Sequence, residues 1–175
     1  MLDLAHHYGW RGEDALWEYL IPRFIEAWHY DRIWAQSALQ TAATFQRLLK
    51  SKQLETLGCM AIALETKPDL EKIEYLLKAL EKWIDKQPLD MTKKTELQSI
   101  LKLQTGYLNF EKEHYDKSLD IYSKMVNTCP RVLRSSLAKA LRQLAWKFIF
   151  KKGQAVSSED GRKAAKKSTE LDAED

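Results

Sequence analysis

From Glu13 to Lys152 the apolar residues recur every three or four positions, and no stretch alternates convincingly in twos. That period places side chains on one face of an α-helix, whereas a strand turns successive residues to opposite faces. It constrains the chain more than any composition figure. Six glycines and four prolines in 175 residues point the same way, because sandwiches and barrels need many tight turns. The expected fold class is all-α: about seven helices in antiparallel hairpins, stacked as a superhelical or irregular bundle.

The stripes can be followed along the chain. Trp17, Leu20, Ile21, Phe24 and Trp28 predict a helix over Glu13–Tyr30, with Pro22 either kinking it or opening a second one. Trp34, Ala35, Ala38, Leu39, Ala42, Phe45, Leu48 and Leu49 continue to about Lys50, and Leu54–Leu64 reads as a short buried helix. Thr66, Pro68, Asp69 and Glu71 form a helix start, with Thr66 as the cap. Its stripe runs through Leu70, Ile73, Leu76, Leu77, Leu80 and Ile84, and the helix ends near Lys86 before Pro88. Asp90 or Thr92 caps the next, and helices over His114–Thr128 and from Arg131 to about Lys151 complete the series. Residues 1–152 are expected to form one all-helical domain. Residues 153–175 are small, polar and charged, with Leu171 the one large apolar side chain, so they read as a disordered or weakly helical tail.

The stretch LQTGYLNFEKEHYDKSLDIYSKMVNTCP, residues 103–130, resembles a tetratricopeptide repeat placed over 99–132. Gly106 matches the small residue where two helices approach, Tyr115 and Ser118 the aromatic and small residues opening the second helix, Tyr122 the later aromatic and Pro130 the closing proline. Lys102, Asn109 and Met125 depart from the repeat, which favours Trp, Tyr and Ala there. The resemblance implies a helical hairpin that serves protein–protein contact. The whole chain also resembles, more faintly, the all-helical dimerisation domain of telomeric repeat-binding factors, through its Trp-bearing first helix, the hairpin over residues 96–126 and the polar stretch behind it.

Catalytic, cofactor and metal signals are not found. His6, His7, His29 and His114 lack zinc-site spacing, and Gly9 and Gly12 flank Trp10 and Arg11 with no strand before them. The expectation is a chain without enzyme activity, cofactor or metal. Cys59 and Cys129, seventy positions apart in apolar surroundings, are expected to be buried reduced thiols. No apolar run is long enough to span a membrane, and the MLDLAHHYGW start lacks the pattern of a secretory signal.

Charge is more informative. Lys124, Arg131, Arg134, Lys139, Arg142, Lys147, Lys151 and Lys152 are cationic, and no acidic residue occurs between Asp120 and Glu159. Arg131, Arg134 and Arg142 are expected on one face, opposite Leu133, Leu141 and Phe148. With Lys139 they would dock an acidic or phosphorylated protein partner, or a nucleic-acid backbone. Eight aromatics between Tyr8 and Trp34 exceed the needs of one helical seam. Trp10, Trp28 and Trp34 are therefore candidate anchors for a partner or a second copy. Lys151 and Lys152, followed after ten residues by Lys163, Lys166 and Lys167, read as a two-part nuclear address on an extended strand. The reading is a non-catalytic adaptor module of a nuclear or cytosolic assembly, with homodimerisation and nucleic-acid binding as alternatives and no membrane partner.

Overall fold

A computed structural model describes Tyr8, Trp10 and residues 13–150 and 159–173. Among the described residues there are eight α-helices, two short 3-10 turns and no strand, so the fold is all-α. The chain divides into two compact units, Met1–Leu89 and Asp90–Asp175.

The first unit holds α1 (Glu13–Tyr30), α2 (Arg32–Ala43), α3 (Ser51–Ala63) and α4 (Leu70–Lys86), with a 3-10 turn at Gln46–Leu48 after α2. α1 runs through Pro22 as one helix. It buries Leu16, Trp17, Leu20, Ile21, Phe24 and Ile25, and α2 packs against it. α2 starts where Asp31 Oδ1 accepts the Trp34 N–H at 3.0 Å, a side-chain cap of the free amides. α3 starts three residues before Leu54, because Gln53 Oε1 takes the Lys50 N–H at 2.9 Å. α4 is capped by Asp69, not Thr66. Its Oδ1 accepts from the Glu71 and Lys72 amides at 3.0 and 3.3 Å. That start sets the phase in which Ile73, Leu76, Leu77, Leu80 and Ile84 all point inward.

The second unit holds α5 (Met91–Glu111), α6 (Tyr115–Met125), a 3-10 turn at Arg131–Leu133, α7 (Arg134–Phe150) and α8 (Glu159–Ala173). Asp90 caps α5 through the Lys93 N–H at 2.9 Å. α5 and α6 form a close hairpin. A Cβ built on Gly106 would collide with the Tyr122 ring, so the aromatic ring occupies the space any larger residue would need. Ser118 Oγ donates to the Gly106 carbonyl at 2.6 Å across the same seam. The hairpin turn closes with His114 N–H bonded to the Asn109 carbonyl and Glu113 N–H to the Phe110 carbonyl. This is a Schellman closure, with Glu113 at φ 60° where glycine is usual.

Of the two readings of the tail, disordered or weakly helical, the described residues show the helix. Glu159–Ala173 is a helix packed on α7. Its buried face is Gly161, Ala164, Ser168 and Leu171, a three- and four-residue stripe made mostly of small side chains. Glu159 and Asp160 favour its positive N-terminal end, and Lys163 bonds Glu159 at 2.8 Å.

Candidate docking face

α7 has two faces. Leu137, Ala138, Leu141, Leu144, Ala145 and Phe148 are buried, while Lys139, Arg142, Gln143 and Trp146 are exposed. Steps of three and four residues bring these four onto one surface. Trp146 is 63% exposed and lies one turn from Arg142 and two from Lys139. Upstream, the 3-10 turn presents Arg131 and Val132 to solvent. The structure thus shows a cationic surface with a large aromatic at its C-terminal end, one turn beyond Arg142, a composition suited to gripping an acidic segment.

The expected arginine trio is not assembled. Arg131 sits on the 3-10 turn, outside the helix. Arg134 lies three residues before Leu137 and seven before Leu141, on the core side of α7, and is half-buried. Its charge lies near Cys129 and works against the burial that pushes that thiol up to about 11. Arg142 alone of the three stands on the exposed face, and its Nη1 donates to Ser168 Oγ of α8 at 3.3 Å. Lys147 points to another side, with Nζ 5.7 Å from the Phe110 ring centroid. Trp146 was missed by the sequence reading. Its signal was its spacing: four residues after Arg142 and off the Leu141–Phe148 stripe.

The three tryptophans fare differently. Trp10 is 77% exposed and meets Phe45 edge-on. Trp28 is half-buried and stacks on Phe24 at 5.7 Å. Trp34 is half-buried, and its indole N–H is enclosed without an acceptor. Trp28 therefore serves the core more than a partner. Tyr30 and Ile33, on either side of the Asp31 cap, are the exposed apolar residues at the α1–α2 corner.

Lys151 and Lys152 of the expected nuclear address lie outside the described residues. Lys163, Lys166 and Lys167 lie on α8, so that cluster is helical rather than extended.

A groove of about 350 Å³ lies beside α3 and the start of α4. Glu55, Gly58, Cys59, Lys72 and Tyr75 are among its lining residues. Tyr75 Oη donates to Glu55 Oε2 at 3.0 Å, which raises the phenol's pKa. Burial and nearby Glu55 raise that of Cys59, keeping the thiol in its less nucleophilic protonated form. Both cysteines are free and buried. Among the described residues no cluster of three or more His, Cys, Asp or Glu is placed to hold a metal ion, and no helix is long and apolar enough to cross a membrane.

Comparison with family models, curated proteins and solved structures gives no match for this chain.

Proposed function

We propose that the chain is a non-catalytic helical docking module whose second unit binds an acidic protein segment on α7. The observation that carries this reading is the exposed grouping of Lys139, Arg142 and Trp146, in a stretch with no carboxylate from residue 121 to 158. The cations steer and orient an acidic partner, and the indole supplies contact area beside them. The close Gly106–Tyr122 seam supports reading α5–α6 as a tetratricopeptide-like hairpin that holds this face. The module belongs, on this reading, to a nuclear or cytosolic assembly.

The test is binding of a fluorescein-labelled oligoglutamate peptide by anisotropy, with single-stranded RNA as the competing probe. Lys139→Glu with Arg142→Glu is expected to weaken peptide binding at least about tenfold, equivalent to 1.4 kcal/mol, and to leave the helical circular-dichroism signal in place. Trp146→Ala should weaken it as well. Unchanged peptide affinity in both variants sinks the docking reading. Tighter RNA binding with a steep salt dependence would replace it with the nucleic-acid reading.

A second reading has its own observation. Trp10, Tyr30 and Ile33 are exposed on the first unit, Ile33 at 76%. Large apolar side chains left in water favour self-association. Light scattering across a concentration series, repeated on Ile33→Asp, tests it: a dimer that the substitution dissociates supports this reading, and a concentration-independent monomer rejects it.

A further inference from the structure

We infer that Ser168 is a phosphorylation site for a kinase that selects basic substrates, and that the phosphate releases α8 from α7. The release stands apart from the docking reading; only its consequence for partner binding rests on that reading.

Ser168 is 2% exposed at the α7–α8 seam. Its Oγ donates to the Ala138 carbonyl at 3.1 Å and accepts from Arg142 Nη1 at 3.3 Å. Leu171 is the one large apolar side chain on the buried stripe of α8; the rest is Gly161, Ala164 and Ser168 itself. α8 makes the most extensive helix pairing in the structure with α7, so transfer to this hydroxyl requires the segment to open locally first. The sequence leading into the hydroxyl is Arg162-Lys163-Ala164-Ala165-Lys166-Lys167. In the opened segment, four cations on the N-terminal side of a serine suit the acidic substrate groove of such a kinase.

The chemistry balances with a nucleoside triphosphate as donor. Ser168 Oγ forms a bond to the γ-phosphorus, the bond from that phosphorus to the β–γ bridging oxygen breaks, the nucleoside diphosphate leaves, and the hydroxyl proton passes to the kinase's base. The product cannot reoccupy its former place. The hydroxyl donor that met the Ala138 carbonyl is gone, and phosphate oxygens would face that carbonyl in a space that held one hydroxyl. Arg142 remains a partner for the phosphate only if α8 shifts outward. Release therefore removes the Ser168 hydroxyl from Arg142 and uncovers Ala138 beside it.

The full chain is incubated with ATP and the catalytic subunit of a kinase selecting basic residues before the acceptor. Sites are mapped by mass spectrometry, and amide hydrogen exchange is followed over α8. The expected result is phosphate on Ser168 and exchange in α8 faster by about tenfold or more. Ser168→Ala should take up no phosphate at this position and keep α8 protected, with Ser168→Glu reproducing the release. Thr169→Glu, on the exposed side next door, should leave α8 protected. Phosphate found only on Thr169 or elsewhere overturns the proposal, and so does a phosphorylated Ser168 with α8 still protected. Oligoglutamate binding measured on the same samples separates the two readings: α8 release without tighter binding counts against docking on α7, not against the modification.

Discussion

The two units reach all-helical structure by different packing. Residues 1–89 contain eleven Lys and Arg against thirteen Asp and Glu, a formal charge of −2; residues 90–175 contain seventeen against twelve, a formal charge of +5. The first unit buries bulk on α1 and α3, with Leu16, Trp17, Ile21, Phe24 and Met60, while α2 adds Ala35, Ala38 and Ala42 beside Leu39. The second depends at two seams on what is missing. Gly106 makes room for Tyr122, and Gly161, Ala164 and Ser168 bring α8 onto α7. Large side chains tolerate small shifts of a helix. Close backbone approach does not, since one added methyl must displace a neighbour. The cationic face thus stands on the more exacting of the two scaffolds.

Truncation of bulk should give the largest effect and the sharpest statement of this difference. Phe24 is fully buried in α1. Phe24→Ala is expected to lower stability by about 3–5 kcal/mol, measured by urea unfolding. A loss below about 1 kcal/mol would mean that the first core is looser than its burial indicates.

Next comes one substitution made in both units, with opposite signs expected. Gly106→Ala puts a methyl against the buried Tyr122 ring and should cost about 1–3 kcal/mol. Gly58 lies within α3, and a Cβ there meets nothing within 4 Å. Gly58→Ala should therefore stabilise by up to about 1 kcal/mol through helix propensity alone. Equal signs in paired unfolding curves would dissolve the contrast.

These pairs also show what a sequence can disclose. The α4 stripe from Ile73 to Ile84 was legible because large apolar residues carry the helical period openly. Its cap was not, since Thr66 and Asp69 are both good caps and only the bonds to Glu71 and Lys72 distinguish them. Arg134 does not share the exposed face because it lies three and seven residues before the buried Leu137 and Leu141, a spacing already present in the sequence. α8 stays ambiguous between disordered tail and weak helix in the sequence because hydropathy registers large side chains, whereas its seam uses glycine, alanine and serine. The basic stretch was visible as charge, but which of its cations share a surface depended on helical phase. Small-residue seams and short turns are where pattern reading fell short of the structure, and the candidate face adjoins both.

A smaller effect tests the turn that closes the α5–α6 hairpin. Glu113 holds φ 60°, a region that disfavours side chains with a Cβ by roughly 1–2 kcal/mol. Glycine adopts it freely but loses more backbone entropy on folding. The net expectation for Glu113→Gly is a gain of about 0.5–1 kcal/mol in urea unfolding. A destabilised variant would show that the glutamate contributes something its backbone does not reveal.

The smallest effect expected is in the first unit and depends on pH. Burial lowers the pKa of His29 from its ordinary 6.5, so the folded chain resists protonation there while the unfolded chain does not. Between the two pKa values the unfolded state binds more protons, and stability then rises with pH. This contribution is intact above pH 6.5 and is lost as pH falls through 6.5 toward the lowered folded-state value. His29→Gln removes the titration. The stability difference between the parent and this variant, followed from about pH 8 to about pH 5, should narrow or reverse on acidification, because only the parent is penalised. A difference constant across that range would mean that His29 titrates alike in both states. Its burial would then not exclude a proton, and the first core would be open to water where α1 ends.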